Sequence, residues 1–318
     1  MRTRPSTLTK AVATISCAAL VASSAGCEAR VYGSPGDQSD GPMLTVVAAP
    51  RVPLDATPPL APPDQPEAAF DGLQVREQQA TSDAADDGAD ITVAVLDRDT
   101  GQLVTNGRNT NIAIASVVKL FIADDLLLQV SQGKTTLTPA DQQLLDVMLR
   151  SSDDSAAETF WNRSGKSAII NRVVARYGLG STRPPSNGRW FNTISTATDL
   201  VRYYDMLISG AGGLPSPQAN VMLNDLAQST PTAPDGMVPG GVYPQRFGIP
   251  EGIPGEPVAV KQGWMCCIGS DWMHLSTGVI GTDRRYVMAI SSMQPTSATA
   301  ARATITQAVK TIFPAGRI

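Results

Sequence analysis

Hydrophobic and polar positions divide this chain into two strand-rich blocks separated by a long stretch of helical periodicity. The first block opens with the β-branched run Ile91–Asp97, and a turn ending at Gly101 connects it to Gln102–Val104. Near the other end, polar turns separate three apolar runs of strand length, namely Val258–Cys267, Trp272–Ile280 and Tyr286–Met293. The pattern therefore predicts antiparallel hairpins in both blocks.

The stretch between the two blocks has helical periodicity. Leu120–Val130 is apolar on most faces, which predicts a buried helix. Thr138, Pro139 and Asp141 supply a capping residue, a first-turn proline and an acid for a helix that ends at Arg150. Similar start and stop signals predict further helices at Asp154–Asn162, Lys166–Tyr177, Thr196–Ser209, Pro217–Gln228 and Ala298–Ile312.

Strands at both ends of the chain with helices between them indicate an α+β fold. We expect an antiparallel sheet of about five strands, formed by residues 89–115 and 256–318, with an α-helical subdomain at 116–255 inserted between them. The folded domain would then cover residues 89–318, which is long enough to bury a full hydrophobic core.

The first residues, 1–26, have the pattern of an export signal. Basic residues precede the apolar run Ala11–Ala22, which is too short to span a bilayer as a mature helix. The small residues before Cys27 resemble a bacterial lipobox, so we expect Cys27 to be the lipidated first residue of the mature protein. Ser24 stands where that motif prefers leucine, and cleavage near Ala25 without lipidation is the alternative.

Residues 27–88 are expected to form a tether. Up to about Pro66 they are rich in Gly, Pro, Ser and Asp, a composition that buries too little apolar surface to fold. The pattern allows a short helix at Glu67–Gln79, followed by a polar link at Ser82–Asp90. A lipid on Cys27 would hold the domain at the outer face of the cell membrane, and the protein would be secreted if lipidation fails.

Ser116 and Lys119 lie at the start of the predicted buried helix. Residues three apart share one helix face, and a desolvated lysine amine can accept the proton of an attacking serine. The free N–H groups of the first helical turn can also stabilise an oxyanion. An ordinary helix cap and a common helical lysine are the alternative interpretation of this pair alone.

Two further triads follow in the chain, Ser152-Asp153-Asp154 between two predicted helices and Lys261-Gln262-Gly263 on the first strand of the second block. In order and placement the three motifs resemble the Ser-x-x-Lys, Ser-Asp-Asn and Lys-Thr-Gly signature of the serine β-lactamase and penicillin-binding-protein superfamily. The resemblance covers roughly residues 90–312 and implies a β-lactamase/transpeptidase-like fold. The whole chain also resembles alanine-rich mycobacterial lipoproteins.

The superfamily resemblance implies a role for each matching residue. Ser116 would be the acyl-forming nucleophile and Lys119 its general base. Ser152 would bridge the two lysines and pass a proton to the leaving group, while Lys261 would hold a substrate carboxylate. The backbone N–H groups of Ser116 and Trp264 would form the oxyanion hole, and the bulk of the Trp264 side chain would narrow the cleft.

Asp154, Gln262 and Gly263 occupy the remaining motif positions, where the family contacts substrate. Asp154 replaces the usual asparagine, which removes an amide donor and adds negative charge beside Lys119. Gln262 replaces a threonine or serine whose hydroxyl helps to bind the β-lactam carboxylate. The loop 179–194 contains no Asp or Glu, although class A β-lactamases place there the glutamate that activates the deacylating water. Efficient β-lactamase activity is therefore not expected.

Charge and composition limit the remaining chemistry. A formal net charge of -4 argues against nucleic acid as a partner. His274 is the only histidine and has no acidic or cysteine cluster near it in sequence, so we expect a structural or surface role and neither a metal nor a cofactor. The tryptophans are interpreted as core and cleft wall. Asp124 and Asp125 are interpreted as solvated charges.

Cys266 and Cys267 are adjacent on a predicted strand. Adjacent strand residues point to opposite faces, so we expect two unpaired cysteines, one of them buried. A vicinal disulfide is the alternative, because an exported protein meets an oxidising environment.

Two functions remain open at this point. The first is a membrane-tethered acyl-serine enzyme, similar to a D,D-peptidase or an esterase, that acts on cell-wall peptides or small esters and amides with poor β-lactam turnover. The second is a binding or scaffolding lipoprotein of the cell envelope that keeps the fold while its altered motifs have relaxed catalysis.

Overall fold

The computed structural model describes residues 70–318. The predicted signal peptide, the lipidation site Cys27 and the tether as far as residue 69 lie outside the described residues.

The central element is a five-stranded antiparallel sheet with the strand order β2-β1-β9-β8-β7. Its strands are β1 (Asp90–Asp97), β2 (Gln102–Thr105), β7 (Val258–Ile268), β8 (Asp271–Ile280) and β9 (Tyr286–Gln294). Strand β1 pairs along its whole length with β9, from Asp90 opposite Met293 to Asp97 opposite Tyr286. The predicted α+β fold, with one sheet built from both ends of the chain, is confirmed.

Two short strand pairs escaped the sequence analysis. They are β3 (Ile112–Ala113) with β4 (Ile194–Ser195), and β5 (Thr232–Pro234) with β6 (Val242–Pro244). Strands of two or three residues are too short to show an alternating pattern.

The helices lie in two layers, one on each face of the sheet. Their bounds are α1 (Leu73–Asp86), α2 (Lys119–Ser131), α3 (Pro139–Arg150), α4 (Asp154–Arg163), α5 (Ser167–Tyr177), α6 (Ala197–Ser209), α7 (Ser216–Ala227), α8 (Ile249–Gly252) and α9 (Ala298–Ile312). The capping box predicted at Thr138 and Asp141 is present, and Gly178 ends α5 in the left-handed conformation.

Alternate side chains along the central strands pack into the two hydrophobic core clusters, one on each face of the sheet. In β1, Ala94 belongs to the core cluster shared with helices α2 to α7, whereas Val93 and Val95 belong to the cluster shared with α1 and α9. In β9, Ala289 and Ile290 divide between the two clusters in the same way. The sheet is therefore covered on both faces, so its central strands are buried at nearly every position.

Helix α1 corrects the predicted N-terminal boundary of the domain. It runs to Asp86 and packs on α9, so the predicted helix at Glu67–Gln79 ended too early and the polar link at Ser82–Asp90 is wrong. Its inward face consists of Leu73, Glu77 and two alanines, which is a weak apolar signal, although all four side chains are buried. The folded domain therefore includes residues from Phe70 onward and does not begin at residue 89.

Asp124 and Asp125 are buried, so their interpretation as solvated charges is wrong. Asp124 pairs with Arg176 and accepts hydrogen bonds from two tyrosine hydroxyls, one of them Tyr203 at 3.2 Å. Asp125 accepts two hydrogen bonds of 2.7 Å from the Arg172 guanidinium. Helix α2 is surrounded by other helices, so its charges can only be accommodated in pairs. Burial raises the pKa of Asp124, and Arg176 opposes that shift.

Replacing Asp124 should destabilise the domain strongly. In Asp124→Asn, Arg176 loses its counter-charge in a buried setting, and the free energy of unfolding in urea should fall by about 3 kcal/mol or more. Asp205→Asn is the matched control, because Asp205 pairs with Arg98 but its side chain is 40% exposed. The control should cost less than about 1 kcal/mol. Equal losses in the two variants would contradict the importance assigned to the buried pair.

Candidate active site

Three separate parts of the chain carry the predicted catalytic side chains to one point. Ser116 lies in the 3-10 turn Ala115–Val118, and Lys119 is the first residue of α2. Ser152 lies in the short connection between α3 and α4, and Lys261 lies on β7. Because β7 is an edge strand of the sheet and packs against the 3-10 turn, the strand and helix motifs meet there.

The four side chains form a continuous hydrogen-bonded row. The Lys119 Nζ atom donates to Ser116 Oγ at 2.8 Å and to Ser152 Oγ at 3.1 Å. It also donates to the Ser152 carbonyl oxygen at 2.6 Å. The Lys261 Nζ atom donates to the same Ser152 Oγ at 2.8 Å. Ser152 therefore lies between the two amines, as the resemblance implied.

The backbone at this point adopts conformations that side chains normally avoid. Ala115 has φ 43° and Ser152 has φ 58°, both in the left-handed region. Such residues cost on the order of 1 kcal/mol or more and cluster at functional sites. Gly263 has a packing role, because a Cβ there would lie 2.6 Å from the Ile114 carbonyl oxygen. Only glycine lets β7 come this close to the turn that carries Ser116.

Both lysines are buried, and their environments set their charge. Lys119 is 0% exposed and Lys261 is 1% exposed. Burial lowers the pKa of Lys119, while Asp154 opposes the shift through an ion pair of 2.6 Å. Burial lowers the pKa of Lys261 further below its ordinary value, and the neighbouring Lys119 adds to that shift. The Trp190 ring lies 5.0 Å from Lys119 Nζ and favours the protonated amine.

Ser116 opens into a cleft of about 290 Å³. Aromatic, sulfur-containing and small residues form most of its wall, and Asp154 is the only charged residue among the described residues that line it. The lining residues are Ala115, Ser116, Asp154, Trp190, Phe191, Asn192, Gly236, Met237, Trp264, Met265, Cys266 and Cys267.

The loop between β5 and β6 contributes to the cleft and was missed from the sequence. Gly236 passes so close to the Asp154 carboxylate that a side chain there would collide with it, and Met237 extends the wall. The available sequence signal was a methionine and a valine in a loop otherwise made of glycine, proline and aspartate, and the structure leaves Met237 37% exposed. Phe191 and Asn192, from the acid-free loop, were also missed as lining residues.

Gln262 does not contact the cleft, so its predicted role in substrate binding is wrong. It is 2% exposed, and its Nε2 atom donates to the Phe247 carbonyl oxygen at 3.0 Å. Lys261 faces Ser152, and neighbouring strand residues point to opposite faces. Trp264 shares the face of Gln262, and its ring stacks on Tyr243 with 4.6 Å between centroids. Most of its bulk therefore packs in the core, and the predicted narrowing of the cleft by this side chain is corrected.

His274 has the structural role predicted as one of two options. It is fully buried, and its Nε2 atom shares a hydrogen bond of 2.7 Å with the Tyr243 hydroxyl. Burial lowers the pKa of His274 to about 3, with a further contribution from Arg302. The imidazole is therefore neutral over the physiological range and lies away from the cleft.

A disulfide joins Cys266 and Cys267, so the expectation of unpaired cysteines is wrong. The pairing of β7 with β8 is irregular between Met265 and Ile268. The strict alternation of faces does not apply there, and the two adjacent side chains both line the cleft.

Residues 70–318 lack two other kinds of feature. In this part of the chain no helix is both long and apolar enough to cross a bilayer. Within the same residues, no group of three or more His, Cys, Asp or Glu side chains is arranged to hold a metal ion.

Solved structures with the same fold include several beta-lactamases and a protein named PBP-A. A class A beta-lactamase from Mycobacterium abscessus aligns with a TM-score of 0.59 and 22% identity, covering 76% of this chain and 98% of its own. The penicillin-binding protein PBP-A aligns with a TM-score of 0.61 and 18% identity, covering 77% and 96%. A beta-lactamase from Chitinophaga pinensis aligns with a TM-score of 0.60 and 15% identity, covering 76% of this chain and 99% of its own. At these identities the similarity shows the fold.

Sequence comparison gives nearer relatives. Two proteins named LppW, provisionally described as lipoproteins, come from Mycobacterium bovis and Mycobacterium tuberculosis. Each is 58% identical to this chain over 324 residues, with 100% of both chains covered. A sequence profile of the beta-lactamase enzyme family matches residues 141–315. With the fold and the three motifs in place, the chain belongs to the beta-lactamase enzyme family.

Proposed function

We propose that this protein is an exported, lipid-anchored acyl-serine enzyme of the cell envelope in which Ser116 attacks an ester or amide carbonyl. The observation that carries the proposal is the hydrogen bond of 2.8 Å between Ser116 Oγ and the buried Lys119 amine. A second lysine, Lys261, is joined to the same row through Ser152. Burying two amines against two serine side chains is costly, and a surface used only for binding has no physical need of it.

Each group in the row has a step in acylation. As Ser116 Oγ bonds to the acyl carbon, its proton passes to the neutral Lys119 amine, whose pKa is lowered by burial. The developing oxyanion receives backbone N–H donors from Ser116 and Trp264, both of which line the cleft. The proton then reaches the leaving group through Ser152, and Lys261 keeps the local potential positive. The product is an acyl ester on Ser116.

Hydrolysis of that ester is expected to be slow. The loop 179–194 supplies Trp190, Phe191 and Asn192 to the cleft but contains no carboxylate. Without a general base, a water molecule attacks the ester slowly. The protein should therefore acylate more readily than it turns over, with poor or no β-lactamase activity. Its substrates would be cell-wall peptides or small esters and amides.

The membrane anchor is proposed from the sequence and from the relatives. Cys27 follows small residues at the end of an apolar signal, and the LppW relatives are provisionally described as lipoproteins. A lipidated Cys27 would place the domain at the outer face of the cell membrane.

One observation favours the second candidate, a catalytically relaxed binding lipoprotein. The Asp154 carboxylate lies 2.6 Å from Lys119 Nζ and favours the protonated amine, which cannot act as a base. The two functions therefore differ in the protonation state of the Lys119 amine. Acylation needs burial to keep it neutral, whereas the binding function follows if the ion pair with Asp154 keeps it protonated.

The protein should form a covalent adduct at Ser116. With p-nitrophenyl hexanoate, intact mass should show one acyl group that persists, and Ser116→Ala should abolish it. Ser155→Ala, an exposed serine on α4, is the matched control and should label normally. Failure of every acyl donor to label the folded wild-type protein would support the binding function, and fast nitrocefin hydrolysis would contradict the slow deacylation.

Removing the Asp154 charge should shift the pH dependence of acylation. A free amine base makes the rate rise with pH through the pKa of Lys119, and Asp154 raises that pKa. In Asp154→Asn the rising limb should therefore move to lower pH, by about one unit or more. Asp153→Asn is a graded control, because Asp153 is the smallest contributor to that shift. A limb that stays in place, or moves upward, would show that Lys119 is not the base.

The anchor can be tested by removing its acceptor. Wild-type protein expressed in a mycobacterial host should partition into detergent and carry lipid on Cys27, whereas Cys27→Ala should partition into water. Cys17→Ala, inside the apolar signal run, should leave the partition unchanged. A wild-type protein whose mature mass contains no lipid would rule out the anchor.

A further inference from the structure

We infer that the cleft at Ser116 selects uncharged esters or amides with an apolar acyl group and disfavours acyl donors that carry a carboxylate. The inference rests on the proposed acylation at Ser116 and names its substrate class. It separates such substrates from penicillins and from peptides with a free carboxyl end.

The charge that the cleft presents to a substrate is negative. Asp154 is the only charged group among the described lining residues, and its side chain is 44% exposed. Lys119 and Lys261 lie beneath the surface, at 0% and 1% exposure, with their amines directed at serine oxygens and at Asp154. A substrate carboxylate in this cleft would therefore meet a negative charge and no accessible cation.

The residues that would bind a substrate carboxylate in this superfamily are replaced or already hydrogen-bonded here. The hydroxyl that would help to bind a carboxylate is replaced by Gln262, and the Gln262 amide donates to the Phe247 carbonyl oxygen on the opposite face of β7. A carboxylate desolvated here would meet no cationic donor among the described lining residues, which leaves its charge uncompensated at a large penalty. Lys261, which the superfamily resemblance assigned to a carboxylate, is occupied by Ser152.

Aromatic and sulfur-containing side chains line the cleft. Trp190, Phe191, Met237 and Met265 surround the space in front of Ser116, and the disulfide between Cys266 and Cys267 completes one side. Aromatic rings and polarizable sulfur atoms bind apolar groups of varied shape. A volume of about 290 Å³ suits a small apolar acyl chain better than a peptide.

The experiment compares two esters that differ only at the far end of the acyl chain, p-nitrophenyl hexanoate and the mono-p-nitrophenyl ester of adipic acid. In each, the bond from Ser116 Oγ to the acyl carbon forms, the ester bond breaks, nitrophenolate leaves with the electron pair, and the serine proton goes to Lys119. The measured quantity is the second-order rate of nitrophenolate release, with intact mass to count adducts.

The hexanoate ester should react at least about tenfold faster than the adipate ester, because the free carboxylate faces Asp154. In Asp154→Asn the ratio of the hexanoate rate to the adipate rate should narrow severalfold. The variant changes the pKa of Lys119 equally for both esters but removes the charge repulsion only for the adipate ester. Asp153→Asn is the matched control, because Asp153 caps α4 through the Ala156 N–H and does not line the cleft. The control should keep the wild-type ratio.

The outcomes separate this inference from the proposed function. Adducts at Ser116 with equal rates for the two esters would overturn the substrate class and leave acylation standing. A faster reaction with the adipate ester or with benzylpenicillin would overturn it as well. Absence of any adduct from either ester, in wild-type protein that is folded, would remove the proposed function and this inference together.

Discussion

The site depends on one physical constraint, which is that two lysine amines are buried against a single serine hydroxyl. Each amine lies within hydrogen-bond distance of Ser152 Oγ, at 3.1 Å for Lys119 and 2.8 Å for Lys261. Two protonated amines so close together in an apolar setting would repel strongly, so at least one of them is pressed toward the neutral form. Lys119 is the amine that contacts Ser116 Oγ, at 2.8 Å, so the proposed acylation requires Lys119 to be neutral when Ser116 attacks.

The fold holds these side chains together by the close approach of strand β7 to the helical layer and by the packing around helix α2. An edge strand, β7, brings Lys261 to the helical layer, and Gly263 removes the Cβ that would otherwise hold the strand away from Ile114. Two residues beside the row, Ala115 and Ser152, take left-handed conformations that the surrounding packing must support. Buried ion pairs on α2, such as Asp125 with Arg172, fix the helix that begins at Lys119.

Asp154 distinguishes this site from one built to hold carboxylates. It lies where an amide is expected and forms an ion pair with Lys119, so it affects both the base and the charge that a substrate meets. Burial and this ion pair act on Lys119 in opposite directions. The balance between them decides between an acylating enzyme and a relaxed binding protein, and the same carboxylate shapes the choice of substrate.

Much of the fold and of the hydrogen-bonded row of lysines and serines could be predicted from sequence because the signals are local. The capping residues at Thr138 and Asp141, the stop at Gly178 and the apolar runs of the sheet each specify an element by themselves. Other features depend on tertiary contacts. The register irregularity beyond Met265, which places two adjacent cysteines on one wall, has no sequence signature.

The same limit applies to features that depend on distant neighbours. The orientation of Gln262 away from the cleft depends on which face of β7 meets the site. The burial of Asp124 depends on helices far along the chain. The buried face of helix α1 consists of Leu73, two alanines and the acidic Glu77, so its apolar stripe is weak in sequence although the helix packs on α9.

The most direct test of this account is a titration of the individual lysine side chains by NMR in isotope-labelled protein, with Lys119 and Lys261 assigned through Lys119→Arg and Lys261→Arg variants. The account predicts that the signals of both residues titrate below the ordinary lysine pKa range, with Lys261 the lower of the two. A Lys119 signal that titrates within the ordinary lysine range would contradict it, because Ser116 would then have no neutral amine beside it.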